Sequence, residues 1–364
     1  MALQSPFADQ EKAVGATFAE HSGMEVPEDY GDPAKEYGAV RTRVGLLDFS
    51  FRGVIRLTGS ERLRWLNGQI TNDVKDLAAG EGKLAAVLNA KGHILGDLAV
   101  YGAVDAVWID VDRRRASTIR EAFDRHIIAD DVTAEEVSDR YGHLMLAGPE
   151  AQRFVAEVAG ATVAGLPAWH HTEARLGGVS VWVIASRWLA LPGYDVVVPV
   201  ESAGKVWDAL LGLGLGRGLR PVGMAALRCL RVEAGWPWYG VDFDDTNLLM
   251  ESLTPEHVSF TKGCYVGQEV VIRIEHQGHV NKKLCGLLLS GEVVPPADAA
   301  ILAGERTVGT LTSAVRSAAL GRAIALGYVR REFWEPGTKL RIVAGQHGLD
   351  AEVVALPFVS SGTP

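Results

Sequence analysis

One short segment of this chain combines a thiol, an ammonium group and two glycines, a combination suited to cysteine chemistry. Cys264 is preceded directly by Gly263 and followed three residues later by Gly267. Glycine lets the backbone come close to a ligand or adopt a positive φ. Lys262 would favour the thiolate, which is the reactive form, and Glu269 would oppose that effect if it points the same way. The same pattern also fits a structural cysteine buried in a tight loop.

The rest of the chain predicts alternating strands and helices that would carry such a loop. The first 35 residues predict an arm with one short helix. From about residue 283 onward, short β-branched segments are separated by glycine and proline, which predicts a small C-terminal β-barrel. Other strands are expected at 83–88, 97–101 and 106–111, and helices at 114–125, 149–158 and 202–211.

Length and charge limit the class of protein. At 364 residues the chain is expected to form two or three packed subdomains. Its formal net charge of -9 argues against a broad face that binds nucleic acid. No run of 18 apolar residues occurs, and the N-terminus does not have the pattern of a signal peptide. We therefore expect a cytoplasmic protein that makes no use of a membrane.

The cysteines are few and scattered. Cys229, Cys264 and Cys285 form no C-x-x-C pair and cannot build a disulfide scaffold. An ordinary iron–sulfur cluster needs about four cysteine thiolates, so this chain is not expected to hold one alone. The histidines show no spacing that predicts a metal site either.

The thiol segment carries a specific resemblance. Residues 262–269 match, without a gap, the K-G-C-Y-x-G-Q-E motif of YgfZ-type folate-binding proteins, with seven fixed identities in eight positions. The resemblance implies that Cys264 acts through its thiol. It assigns to the functional site Lys262, Gly263, Cys264, Tyr265, Gly267, Gln268 and Glu269.

Other stretches resemble the wider glycine-cleavage T-protein, or aminomethyltransferase, superfamily and together cover most of the chain. They are residues 40–48, 72–74, 148–149, 221–223, 231–235 and 309–313. The resemblance implies an α+β fold, a three-domain cloverleaf with two mixed α/β subdomains and a C-terminal β-barrel. The domains are expected at 1–52 with 141–245, at 53–140, and at 246–364, the last including the thiol segment.

In that superfamily tetrahydrofolate occupies a central channel, and the resemblance implies four residues of its wall here. Asp97 falls at the place of the catalytic aspartate, and Tyr101 at that of a pocket tyrosine. Strand positions four apart face the same side, roughly 13 Å from each other. Asp195 replaces a glutamate that binds the pterin, where a carboxylate could accept two parallel N–H donors, and Trp188 replaces a tyrosine. Without the resemblance, Asp97 would be a solvated strand residue and Asp195 a turn acid.

Several positions depart from the T-protein pattern. Gly96 stands where the T-protein has a second acid, and Leu84 where it has a tyrosine. Leu227 and Arg228 stand where it has an arginine–aspartate pair that helps to hold the cofactor. These departures count against aminomethyl transfer by the T-protein route.

The resemblance therefore implies a tetrahydrofolate-binding accessory protein. Its expected role is to support the assembly or repair of iron–sulfur proteins, including enzymes that modify tRNA, and its expected partners are those proteins and their assembly factors. The alternative is a folate-dependent aminomethyltransferase or demethylase in which Asp97 is the polarising carboxylate. A third interpretation is an interaction scaffold with a vestigial pocket.

Overall fold

The computed structural model describes residues 2–345 and 347–360. The outer bounds of the predicted domains, residues 1 and 364, lie outside the described residues. The described strands are β1 (Leu3–Gln4), β2 (Thr17–His21), β3 (Met24–Asp29), β4 (Val44–Asp48), β5 (Arg52–Thr58), β6 (Gly82–Leu88), β7 (Ile94–Gly102), β8 (Val107–Asp112), β9 (Thr133–Glu136), β10 (Tyr141–Ala147), β11 (His171–Leu176), β12 (Val179–Ser186), β13 (Gly193–Pro199), β14 (Leu219–Val222), β15 (Lys282–Leu289), β16 (Ala300–Ala303), β17 (Arg306–Ser317), β18 (Arg322–Arg330), β19 (Lys339–Ala344) and β20 (His347–Val354). The described α-helices are α1 (Ala8–Ala13), α2 (Pro33–Thr42), α3 (Arg62–Asn67), α4 (Arg113–Asp124), α5 (Ala151–Ala159), α6 (Ala161–Ala164), α7 (Ala203–Gly214), α8 (Met224–Glu233), α9 (Leu249–Ser252) and α10 (Gln268–Gln277).

A six-stranded sheet forms the first layer, in the order β11-β12-β13-β10-β4-β14. Its pairs are antiparallel except for β14 with β4, which run parallel. Alternate residues of β10 and β13 face opposite sides, as expected for strands. Leu144 and Val196 pack on one side with residues of α5 and α7, whereas Met145 and Val197 belong to a second cluster on the other side. That second side is the inner face of the sheet.

A five-stranded antiparallel sheet, in the order β6-β7-β8-β5-β9, faces it. Leu98 and Val100 of β7 pack against α4. Ala99 and Tyr101 of the same strand face the opposite way and join the cluster of the six-stranded sheet. The side chain of Asp112 caps α4 by accepting a hydrogen bond from the backbone nitrogen of Arg114 (2.9 Å). The two sheets therefore pack face to face.

The C-terminal strands close into a barrel, in the order β15-β18-β17-β16-β19-β20, which confirms the predicted barrel. A buried polar contact joins it to α8. Arg231 donates to Asp242 (2.6 Å) and to the hydroxyl of Ser313 on β17 (2.7 Å), and that hydroxyl donates to Asp242 (2.6 Å). The ion pair is almost fully enclosed, so it fixes the loop after α8 against the barrel.

The N-terminal arm differs from the prediction of one short helix. It contains α1 and a three-stranded sheet in the order β1-β3-β2. Met24 and Val26 of β3 are buried, while the neighbouring Glu25 is exposed. With Pro27 these are three buried residues in a short polar segment, which is a weak sequence signal and explains why the pattern did not predict these strands.

Candidate functional site

The inner faces of the two sheets bring together five charged or titratable side chains. Asp97 lies on β7, Arg52 on β5, Asp110 on β8, His143 on β10 and Asp195 on β13. All five are buried. We call this set the inner polar group. Residues up to about 140 positions apart in the sequence meet here, because strands from both sheets direct alternate side chains to the same interior.

Arg52 is the centre of the inner polar group. Its Nε donates to Asp110 Oδ1 at 2.5 Å, and its Nη2 also contacts that oxygen. Its Nη1 lies 4.0 Å from Asp97 Oδ2. The guanidinium carbon is 5.2 Å from the ring centroid of Trp188, within the range of a cation–π contact. Arg52 therefore joins two carboxylates and an aromatic ring.

His143 continues the contacts toward the other sheet. Its Nδ1 lies 3.6 Å from Asp110 Oδ2, and its Nε2 lies 3.7 Å from Asp195 Oδ2. Burial lowers the pKa of His143, but Asp195 and Asp110 raise it by more, so the pKa is raised overall. The imidazole is therefore placed between two carboxylates that favour its protonated form.

Asp195 is enclosed by protein donors. Its Oδ1 accepts from the Ser186 hydroxyl at 2.9 Å, and its Oδ2 accepts from the Trp188 indole nitrogen at 2.9 Å. The residue has 0% of its surface exposed. The sequence interpretation gave Asp195 two free acceptor positions for a pterin. In this arrangement each oxygen accepts one hydrogen bond from the protein, and Asp195 orients Trp188; its predicted role in binding a pterin stays a prediction.

Aromatic rings form one side of this interior. Trp188 stacks on Trp236 with ring centroids 4.8 Å apart and meets Trp169 edge to face at 4.7 Å. Trp236 also stacks on Phe49 at 6.1 Å. Trp169 holds an unusual left-handed backbone conformation, with φ 66°. Such a conformation in a bulky residue costs about 1–3 kcal/mol, and it is typically retained where the surrounding structure determines it.

Several polar atoms in this interior are buried without a hydrogen bond among the described residues. They are the Tyr101 hydroxyl and both ring nitrogens of His143. Most buried polar groups in native proteins have a partner, and each exception calls for an explanation. These three atoms are buried groups that a ligand could satisfy. Tyr101 and Asp97 are thus on the inner side, as the strand spacing predicted.

Burial is the largest influence on the pKa of Asp97 and of Tyr101. The pKa of Asp97 is raised overall: desolvation raises it, the charges of Arg52 and His257 lower it by less, and Asp112 raises it further. Burial also raises the pKa of Tyr101 well above its usual range. Asp97 is 5% exposed, so a small part of its surface remains accessible.

The positions that depart from the T-protein pattern do not all lie in this interior. A side chain at Gly96 would point toward α4, since a Cβ there would lie 2.7 Å from Ile119 Cδ1. Leu84 and Leu227 are buried in the cluster between the sheets. Arg228 is on the surface, where it pairs with Glu28. The absence of an acid at position 96 therefore removes nothing from the Asp97 side of β7.

The motif loop, residues 262–269, is tied to the five-stranded sheet by Lys262. The Lys262 ammonium donates to the carbonyl oxygens of Asn67 (2.6 Å), Ile70 (2.8 Å) and Asn72 (2.6 Å). An ammonium group has three N–H donors, and all three are used. Burial lowers the pKa of Lys262 to about 8. These contacts support a structural role, and they do not support the hypotheses that Lys262 activates the thiol or binds the cofactor.

Tyr265 and Gly267 also anchor this loop. Tyr265 packs with Ala86, Leu88 and Ile94 of β6 and β7, and burial raises its pKa to about 12. Gly267 has φ 81°, and a Cβ there would lie 2.6 Å from the Asn89 carbonyl oxygen. The predicted need for a glycine is therefore confirmed at Gly267.

The remaining motif residues face the surface. Cys264 is exposed, and no hydrogen bond or ion pair joins it to the inner polar group within the described part of the chain. Gly263 is exposed, and a Cβ there would meet nothing within 4 Å. Gln268 and Glu269 begin α10 and line an open cleft of about 710 Å³ together with Tyr265 and Gly267. The functional roles predicted for the motif residues stay predictions.

Sequence reasoning missed Arg52, Asp110, His143 and Trp236. A signal existed on β8, where Trp108, Asp110 and Asp112 alternate with buried valine and isoleucine. Such alternation normally indicates a strand with one face in water. Among the residues that the structure describes, no group of three or more metal-binding side chains could hold a metal ion. The described helices include none that is long and apolar enough to cross a membrane.

Known proteins match the whole of this architecture. Residues 7–262 match the GCVT N-terminal domain, and residues 282–360 match the glycine cleavage T-protein C-terminal barrel domain. An aminomethyltransferase of Streptomyces coelicolor is 31% identical, covering 95% of each chain. One of Halothermothrix orenii is 30% identical, covering 98% of this chain and 99% of the relative.

A solved structure agrees with the fold. The crystal structure of glycine cleavage system aminomethyltransferase T from Bartonella henselae superimposes with a TM-score of 0.88 at 22% identity, covering 99% of this chain and 98% of that one. The chain belongs to the glycine cleavage T-protein family. The predicted T-protein-like fold, with two mixed α/β parts and a C-terminal barrel, is confirmed. The narrower assignment to the YgfZ type stays a prediction.

Proposed function

We propose that this chain is a folate-dependent one-carbon transferase, of the aminomethyltransferase or demethylase kind, with its reaction centre at the inner polar group. The observation that carries the proposal is a buried carboxylate, Asp97, beside unpaired polar atoms and an aromatic wall. The relatives named aminomethyltransferase support this function better than the accessory role that the motif implied. We also propose that the chain works in the cytoplasm.

The residues fit a tetrahydrofolate. A pterin is flat and carries hydrogen-bond donors and acceptors on its edges. The Tyr101 hydroxyl and the His143 nitrogens could bond such edges, and the rings of Trp188 and Trp236 provide flat apolar surfaces. A bound tetrahydrofolate would supply the nitrogen atoms that accept a one-carbon unit.

The chain's own residues would orient the donor and exclude water. Asp97, as a carboxylate, would bind and polarise the group that carries the one-carbon unit. Asp195 would hold Trp188 and His143 in place through the contacts described above. The dry interior strengthens these electrostatic contacts, because charges interact more strongly away from water.

The test is a transfer assay. The purified chain is incubated with tetrahydrofolate and an aminomethyl thioether donor, R–S–CH2–NH2, and the formation of methylenetetrahydrofolate is followed; the methylene carbon passes to two nitrogens of the folate, whose protons leave with the released ammonia and thiol. Asp97→Asn is expected to lower the rate by about 10²–10⁴-fold, as for loss of a positioned acid or base. Asp76→Asn, at an exposed aspartate, serves as the matched control and should retain the wild-type rate. Wild-type turnover that persists in Asp97→Asn would contradict the role of Asp97.

A second candidate is the accessory role in iron–sulfur protein assembly or repair and in tRNA modification, with iron–sulfur proteins and their assembly factors as partners. Its specific support is that Cys264 lies exposed on the motif loop, where a partner could reach it. The three cysteines are too few to hold a cluster, so the thiol would act transiently or lend one ligand to a partner. If Cys264→Ala restored iron–sulfur enzyme activity in a deletion strain as fully as the wild-type chain, this candidate would fail.

A further inference from the structure

Asp97 faces few charged groups. Arg52 reaches it from β5, Asp112 acts on it from β8, and His257 acts on it from the loop before the motif. Asp110 lies on the far side of Arg52. No described side chain donates a hydrogen bond to the Asp97 carboxylate within the usual distance. Its state therefore depends on these charges.

Arg52 is the cation that persists near Asp97. Burial lowers the pKa of His257, which favours the neutral imidazole. The pKa of Arg52 is raised by its carboxylate neighbours despite burial, so the guanidinium stays charged. A buried carboxylate without a neighbouring cation tends to take up a proton, whereas an opposite charge nearby favours the ionised form.

The position of Arg52 is itself fixed. Its Nε and Nη2 are both committed to Asp110, and its flat face lies against Trp188. The Nη1 edge is left facing Asp97 at 4.0 Å, which is too long for a hydrogen bond but close for two charges. The side chain cannot turn away without breaking the Asp110 contact.

We propose that Arg52 is a positioning residue for Asp97: held in place by Asp110, it puts a positive charge 4.0 Å from the Asp97 carboxylate and thereby favours its ionised form. The effect of Arg52 on catalysis rests on the proposed function, whereas its effect on the ionisation of Asp97 can be measured on the protein without a substrate. The residue types at positions 52 and 110 thus set the pH range over which Asp97 can polarise a donor.

The direct test is a carboxyl titration by ¹³C NMR on protein labelled at aspartate carboxyl carbons. Asp97→Asn identifies the Asp97 signal by its disappearance. Removing Arg52 alone would leave Asp110 as an unpaired buried charge, so the decisive variant is the double substitution Arg52→Met with Asp110→Asn, which removes both partners together. We expect its Asp97 signal to titrate at a pH higher by about one unit or more, as for loss of an opposite charge at this distance.

The pH dependence of the transfer rate is a second test of the role of Arg52. In the transfer assay, the acid limb of the pH–rate profile should move to higher pH in the Arg52→Met, Asp110→Asn double variant and move less in Arg52→Lys, which keeps a positive charge beside Asp110. Arg56→Met, on the same strand but paired with exposed Asp105, should leave the profile unchanged. An Asp97 signal that titrates at the wild-type pH in the double variant would overturn the proposal. Absence of turnover in the wild-type chain would instead count against the proposed function, and the NMR result would still decide the role of Arg52.

Discussion

The inner polar group and the motif loop differ in almost every physical respect. The inner polar group is assembled from five strands of two sheets, is buried, and contains polar atoms without partners. The motif loop is one continuous segment whose lysine is fully hydrogen-bonded and whose cysteine faces solvent. Unpaired buried groups are available to a ligand, whereas saturated groups hold a backbone in place. The motif loop has one buried polar atom without a partner, the Tyr265 hydroxyl, whereas Tyr101 and His143 contribute three between the sheets.

The largest effect on stability is expected from Arg52→Ala. It leaves Asp110 buried without its partner and should lower the free energy of unfolding by about 3–5 kcal/mol. Arg56→Ala on the same strand breaks a pair with exposed Asp105 and a 6.0 Å contact with the Trp108 ring, and it should cost about 1 kcal/mol. Urea unfolding of the two variants measures the difference. Equal losses would show that burial does not distinguish these arginines.

Lys262→Met tests whether the motif lysine is structural. Three carbonyl oxygens lose their donor, and we expect a loss of about 2–4 kcal/mol, since each unsatisfied buried group costs about 1–3 kcal/mol. Lys83→Met, which removes one contact of an exposed lysine to the Asp73 carbonyl, is the control and should cost less than about 1 kcal/mol. A wild-type unfolding curve for Lys262→Met would refute the anchoring role.

The two motif glycines should respond differently to alanine. Gly267→Ala forces a side chain into φ 81° and against Asn89, so it should cost at least about 1–2 kcal/mol. Gly263→Ala meets open space and should stay within about 0.5 kcal/mol of wild type. Thermal unfolding of the two glycine variants measures the difference in stability. Equal sensitivity would mean that position 263 has a constraint which the structure does not contain.

The smallest effect is expected from Cys264→Ala. The side chain is exposed and makes no hydrogen bond within the described residues, so the free energy of unfolding should change by less than about 0.5 kcal/mol. A clear loss of stability in chemical denaturation would show that the thiol is structural, as the alternative interpretation of the sequence held.

Much of the fold was accessible from sequence because the patterns were local. The strand expected at 97–101 lies inside β7, and the helix expected at 114–125 nearly coincides with α4. Asp97, Tyr101 and Trp188 were found through the family resemblance, and the structure places all three between the sheets. Asp195 lies there too, but enclosed by its own partners.

The rest of the site could not be predicted because it depends on how two sheets face each other. A single arginine on β5 and alternating acids on β8 have the pattern of strands exposed to water on one side. Only the packing of the second sheet makes that side an interior. His143 gave no signal, because one histidine among the apolar residues of β10 is compatible with ordinary core packing.

Calorimetric titration with tetrahydrofolate tests most directly whether the interior between the sheets is the ligand site. The account predicts saturable binding at one site in the wild-type chain and in Cys264→Ala. In Trp188→Leu, affinity should fall by about tenfold or more, equivalent to about 1.4 kcal/mol, because the ring that faces the ligand is lost. Full affinity in Trp188→Leu together with lost affinity in Cys264→Ala would place the ligand at the motif loop and contradict the account.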